Sequence, residues 1–320
     1  MRIMQSHKRN LTAASCVFFV LAIAGSGCTR QVTRQRLAFA EYPNLKLGFT
    51  TANFLKAMPV TLESSKRLID YASEQGYAWI ELRDPHADLS ADQCRQIAEY
   101  AGSKKIEIGY AIHEGLLDDT FLETLKRGVK NASYFKGPKT IRALICGNEF
   151  VNNESKIGWT ADELNRAVLI GDRAAQIARN NGLHLVVENG FEVIKGDGKS
   201  YYGTTELFEK AGPHLGWQFD TGNFFCTSRV WTKPKDAEDF LKKSIGKVRY
   251  IHLKTSQGRT VQPVLGDNEL DFDTIFSVMS KNNVLYVAIE IVGFENTHTM
   301  YVNHEKSVQY LRSKGFITIK

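Results

Sequence analysis

Short apolar runs alternate with longer stretches in which apolar residues recur every three or four positions, and the alternation continues from Leu45 to the C-terminal end. Runs of this kind read as buried strands, and the periodic stretches as amphipathic helices. Strands are expected at Leu45–Thr50, Tyr77–Leu82, Ile106–Ile112, Ile141–Cys146, Leu183–Glu188, Leu215–Asp220, Val248–His252 and Leu285–Glu290. Between them lie helices at Leu62–Gln75, at Ala91–Ser103 behind a Ser90 cap, at Asp118–Tyr134, and at Ala161–Asn181, started by Thr160 and stopped by Gly182. Shorter ones follow near Thr205–Ala211, Asp236–Lys243, Phe272–Asn282 and Asn303–Ser313. Strands that occur singly between helices demand parallel pairing and right-handed crossovers. The economical architecture is a closed (β/α)8 TIM barrel. A doubly wound open sheet, its rival, would not bring the ends of the last four strands to one point.

Those four strands end, or nearly end, in Glu188, Asp220, His252 and Glu290. Their spacings of 32, 32 and 38 residues approach the roughly 30 residues of one strand-helix unit. All strand ends of a parallel barrel face one mouth, where active sites of this fold are built. One such carboxylate alone is more often a helix cap or loop contact. Four in phase point instead to an oxygen-rich divalent-cation site, since a carboxylate at the end of an apolar strand is costly to desolvate unless paired or coordinated. The polar segments Gly147–Gly158, Asn189–Tyr202 and Thr255–Asp271 follow the fourth, fifth and seventh strands and are expected to rim the mouth.

The N-terminus carries a different signal. Arg2, Lys8 and Arg9 precede an apolar stretch from about Leu11 to Ala24, then Gly25, Ser26, Gly27 and Cys28. This is the pattern of a secretory signal, shorter than the about 20 residues of a membrane span. A cysteine directly after small residues resembles a bacterial lipobox, although Gly25 stands where Leu is usual. The expected organisation is a signal peptide over 1–27, lipidation at Cys28, a tether over 28–44 and the barrel over 45–320. Removing the signal takes three basic residues, leaving +3 of the formal charge of +6. With no dense run of Lys and Arg interleaved with aromatics, no nucleic-acid partner is expected. Cys94, Cys146 and Cys226 remain in the mature domain, an odd number without metal-type spacing, so no disulfide framework is implied.

At Val187-Glu188-Asn189, Phe219-Asp220-Thr221-Gly222-Asn223, Ile251-His252-Leu253-Lys254 and Ile289-Glu290-Ile291, with Leu265–Phe272 ahead of the seventh helix, the chain resembles the xylose isomerase-like barrel superfamily of sugar phosphate isomerases and epimerases. The resemblance covers about Leu45 to Lys314. It implies one divalent ion, Mn²⁺ first and Mg²⁺, Co²⁺ or Zn²⁺ as alternatives, held by Glu188, Asp220, His252 and Glu290. It also implies that Glu188 and Glu290 shuttle a proton beside a substrate carbonyl. A cation stabilises the enediolate left by that removal, and two carboxylates can take and return the proton. Epimerisation, isomerisation and β-elimination share this step.

Two departures limit the match. Ketose 3-epimerases usually place His three residues after the sixth-strand Asp, where this chain has Asn223, and Arg six residues after the seventh-strand His, where it has Gly258 followed by Arg259. Asn223 also argues against the three-metal endonuclease IV branch. Further candidates for substrate contact are His113, Asn223 and Lys254. Glu81 and Arg83 share one strand face and are expected to form an internal ion pair. His184 is expected to be structural, Trp217 core, and Trp159 or Phe224 a pocket wall. Gly198-Lys199-Ser200 lacks the first glycine of a P-loop, and no dinucleotide fingerprint occurs, so no nucleotide is expected. The expected activity is that of an exported isomerase or epimerase on an unphosphorylated sugar, keto-sugar or cyclitol. The alternatives are a lyase on 3-keto-glycosides or inososes, and a carbohydrate-binding barrel without turnover.

Overall fold

Strands apolar on both faces need cover on both, and in this chain they obtain it by closing on themselves inside a ring of helices. The computed structural model describes residues 35–145, 158–189, 202–223, 234–257, 260–267 and 269–320. Strand β1 (Leu37–Phe39) lies outside the barrel. The staves are β2 (Lys46–Thr50), β3 (Trp79–Arg83), β4 (Glu107–Gly115), β5 (Thr140–Leu144), β6 (His184–Glu188), β7 (Gly216–Asp220), β8 (Val248–Leu253) and, after the hairpin β9 (Ser256–Gln257) and β10 (Thr260–Val261), β11 (Tyr286–Ile289). They pair in that order, all parallel, and β11 closes against β2.

Eight helices fall in the described connections: α1 (Leu62–Gln75), α2 (Ala91–Lys104), α3 (Phe121–Ala132), α4 (Ala161–Asn180), α5 (Thr204–Lys210), α6 (Pro234–Ser244), α7 (Phe272–Lys281) and α8 (Thr297–Ser313). Thr61, Ser90 and Thr160 each accept a hydrogen bond from the backbone N–H three residues on, satisfying a donor the helix leaves open. None of the described helices is long and apolar enough to cross a membrane.

The barrel interior is filled in layers. At the N-terminal end Lys46 bonds Glu107 at 2.7 and 2.9 Å, and Tyr286 donates to the same carboxylate at 2.8 Å. Above it Trp79, Val186, Tyr250 and Ala288 form an apolar plug. The Trp79 indole donates to the carbonyls of Lys46 and Val287, both at 3.1 Å. It fits because β2 offers Gly48 there: a Cβ at that position would lie 2.3 Å from the Trp79 carbonyl oxygen and 2.5 Å from its Cδ1. Polar groups replace apolar ones above the plug.

Some bounds differ from the sequence reading. The stretch expected as a tether enters the fold at Leu37, where β1 pairs antiparallel with β12 (Ile317–Ile319) and buries Phe39 completely. Three residues are too few to show a period. Strand β4 runs on through His113 to Gly115, and α8 starts at Thr297 behind an Asn296 cap, six residues earlier than expected. The segment 1–27, Cys28, Cys146, Cys226, Phe224, Gly198–Ser200, Gly258 and Arg259 lie outside the described residues.

Candidate active site

Glu188, Asp220, His252 and Glu290 come together at the C-terminal mouth, with one potential ligand atom from each within 4.8 Å of all the others. In each side chain one polar atom is tied to a neighbour while the second faces the cluster. Glu188 Oε2 accepts from Arg142 Nη1 at 2.6 Å. Asp220 Oδ1 accepts the backbone N–H groups of Gly222 and Asn223, both at 2.8 Å. His252 Nε2 lies 3.1 Å from Glu81 Oε2, and Glu290 Oε1 lies 3.1 Å from the Lys254 ammonium. That leaves Glu188 Oε1 and Asp220 Oδ2, each 3.8 Å from His252 Nδ1, and Glu290 Oε2 in contact with the same nitrogen.

Beneath the cluster sits a support that the strand-end pattern did not reveal. Arg142, fully buried on β5, bridges Glu188 and Glu81, the latter at 3.4 Å. Glu81 also accepts from Thr50 at 2.8 Å and from the Tyr250 hydroxyl. The expected Glu81–Arg83 ion pair does not form: Glu81 points at Arg142 and His252 instead. The available signal was Arg142 itself, a charge inside the run Ile141-Arg142-Ala143-Leu144, which a parallel strand tolerates only with a buried counter-ion.

Electrostatics follow from these contacts. Burial raises the Glu81 carboxyl, but Arg142 and His252 outweigh it and hold it well below the usual range. For His252 burial works toward the neutral ring, yet Glu81 and Glu290 flank both nitrogens and bring it up to about 10. Asp220 is pushed up to about 6 by burial against the opposing pull of Lys254. Glu290 is likewise raised by burial, but Lys254 and His252 dominate and hold it well below the ordinary carboxylate value.

Residues just past one strand clip the backbone of the next. The Asn189 amide oxygen accepts the Asp220 N–H at 2.6 Å and its nitrogen donates to the Asp220 carbonyl at 3.1 Å. Thr221 does the same for Lys254, at 2.8 and 2.9 Å. Asn53 spans Glu290, donating to the Ile289 carbonyl and accepting the Ile291 N–H, both at 3.1 Å, and its amide lies 3.0 Å from buried His304. Thr51 accepts the Arg83 N–H at 2.9 Å. These short polar side chains read in sequence as loop residues; as clips they fix the mouth residues on rigid staves.

Of the other candidates, Asn223 donates to Glu188 Oε1 at 3.2 Å and accepts from Lys254 at 3.1 Å. Lys254 is buried inside the cluster, 2.9 Å from Asp220 Oδ2. His113 lies two residues past Ala111, the register partner of Arg83, and is only partly buried. Trp159 is buried in the core and bridges Tyr202 through backbone hydrogen bonds. His184 is exposed at the opposite end, and Trp217 is core.

The donor set fits a divalent ion. Asp220 Oδ2, His252 Nδ1 and Glu290 Oε2 are buried without a hydrogen bond of acceptable geometry, and they face one another. Three carboxylates with one imidazole, its other nitrogen fixed by a carboxylate, are ligand types that a divalent ion takes. Residues 69–313 match a sequence family described as xylose isomerase-like TIM barrel. The chain belongs to the xylose isomerase-like TIM barrel family. Solved structures of low sequence identity share its barrel fold. A D-psicose 3-epimerase solved in the presence of D-fructose is 14% identical, with TM-score 0.63, over 84% of this chain and 99% of that one. A family member from Mycobacterium smegmatis in complex with magnesium is 16% identical, with TM-score 0.62, over 84% and 97%. The 3-keto-D-glucoside 4-epimerase of E. coli is 13% identical, with TM-score 0.58, over 84% and 99%. No curated protein matches by sequence.

Proposed function

We propose that this family member is a divalent-metal-dependent isomerase or epimerase of an unphosphorylated sugar, keto-sugar or cyclitol, working by proton removal beside a carbonyl. The observation that carries the reading is the arrangement of Glu188 and Glu290: each has one oxygen tied by a buried cation and the other turned into the same cluster. A divalent ion held by Glu188, Asp220, His252 and Glu290 would supply Lewis-acid stabilisation of negative charge forming on substrate oxygens. Arg142 and Lys254 keep the two carboxylates oriented, and the ionised form of each can accept a proton from carbon. Asn223, hydrogen-bonded to both Glu188 and Lys254, is placed to orient a substrate hydroxyl. Among the structural relatives, two are named as sugar epimerases, which supports the same reaction class.

The test is hydrogen exchange. Mature protein incubated with a panel of keto-sugars in D₂O and Mn²⁺ is expected to exchange the hydrogen beside the carbonyl, and to lose that exchange when chelator removes the ion. Exchange accompanied by loss of a substituent would make the enzyme a lyase. Carbohydrate binding without exchange on any sugar would overturn the catalytic reading.

We also propose that the mature chain begins at lipid-modified Cys28 and is anchored to a membrane by that lipid alone, on the basis of the charged start, the apolar run and Gly27-Cys28. Cys28→Ser is expected to abolish incorporation of labelled fatty acid. Undiminished labelling, or a mature N-terminus mapped elsewhere, would refute the assignment.

A further inference from the structure

Arg83 is the one charged residue at the mouth whose side chain the structure leaves uncompensated among the described residues. It is 8% exposed, its Nε is buried without a hydrogen bond, and no carboxylate oxygen of the described residues lies within ion-pair distance of its guanidinium. Arg142, by contrast, is fully buried but engages both Glu81 and Glu188. Arg83 occupies the last position of β3, and its backbone is clipped by Thr51 as Asp220 is by Asn189 and Lys254 by Thr221. It is therefore built like the other site residues while lacking the partner each of them has. A guanidinium stays charged in any protein environment, and a buried one without a counter-ion is costly.

From this placement, and resting on the sugar-isomerase reading above, we propose that Arg83, with His113 beside it, forms a subsite for a carboxylate on the sugar, so that the substrate is a keto-sugar acid. Two considerations favour a carboxylate over a hydroxyl. A hydroxyl meets the fork of a guanidinium with a single neutral acceptor, whereas a carboxylate meets it with two charged ones in matching geometry. The second is His113, on the neighbouring stave, whose backbone N–H donates to the carbonyl of Pro85, two residues past Arg83, at 2.8 Å. Its imidazole is held neutral, pushed down to about 3 by burial and then by Arg83 and Arg142, so it offers one N–H beside the guanidinium and adds no charge.

Calorimetric titration of the Mn²⁺-treated mature protein with D-tagaturonate and D-tagatose tests this, since the pair differ only in a carboxylate or a hydroxymethyl group remote from the ketone. The acid is expected to bind roughly 10- to 100-fold more tightly, the range of charge-assisted hydrogen bonds to an ionised group. In Arg83→Met that ratio is expected to collapse to within about threefold, and in Arg83→Lys, which keeps the charge but loses the fork, to fall between. Near-UV circular dichroism verifies that each variant is folded; if Arg83→Met is not, the Arg83→Lys ratio decides alone. A ratio near one in the wild type, or one that persists in the folded variants, overturns the proposal. An Arg83-dependent ratio without D₂O exchange on any sugar would uphold the subsite and refute the isomerase reading. Exchange on neutral sugars without such a ratio would do the reverse.

Discussion

Exchanging Glu188 or Glu290 for Gln is expected to lower turnover of a reactive keto-sugar by about 10²-fold or more in each case, the scale on which a positioned acid or base acts. The amide keeps the shape of the side chain and can still face Arg142 or Lys254 through its oxygen, but it cannot take a proton from carbon. Both residues also belong to the ligand set, so lost metal could mimic lost base. Asp220→Ala separates the two effects. Asp220 removes a ligand without removing either glutamate, and its Oδ1 bonds to Gly222 and Asn223 are local, so that variant should lose the ion with the barrel intact. Elemental analysis alongside D₂O exchange then reads each variant on two axes. Glutamine variants that keep both the ion and near-normal turnover would show that neither carboxylate acts as a base.

Arg142→Met is expected to destabilise the domain by about 3–5 kcal/mol at neutral pH, the cost of removing one member of a buried ion-pair network. Glu81 and Glu188 would be left buried and ionised with no guanidinium between them. The loss should appear as a lower urea midpoint with an unchanged slope. Its pH dependence has a definite sign. Glu81 is held below its ordinary value of 4.5 in the folded protein, so its pairing stabilises the fold above that pH and the contribution fades as pH falls toward the folded value. The deficit of Arg142→Met should therefore shrink in acid, where Glu81 can be protonated and needs no counter-ion. A deficit below about 1 kcal/mol at neutral pH, smaller than one breaks by orphaning a buried charge, would show that Arg142 is not the counter-ion of this layer.

The layered interior explains why the site residues were easier to read than their supports. Glu188, Asp220, His252 and Glu290 stand at the ends of apolar runs, where a charge is conspicuous. Asn189, Thr221, Asn53 and Thr51 stand among loop residues of similar type, and only the approach of the neighbouring stave turns them into clips. Arg142 was visible as a charge inside a strand, but its partners lie 61 and 46 residues away, beyond any local periodicity. The Glu81–Arg83 pairing inferred from alternation failed for the same reason. Alternation places both on one face, but which side chain each meets depends on the strands across the barrel.

By itself the sequence determined the succession of strands and helices, hence the parallel barrel, and the identity of the four residues at its mouth, because burial of apolar runs and the cost of desolvating charge are local properties. Register was decided only in the closed structure. Glu188 pairs level with Gln218, which is level with Tyr250, while Asp220 is level with His252 and Ala288, two residues below Glu290. In hydrogen-bond register the ligands therefore climb two residues from β6 to β7, stay level from β7 to β8, and climb two more from β8 to β11. Strand tilt, which closure of an eight-stranded barrel imposes, is what brings these staggered positions to one point.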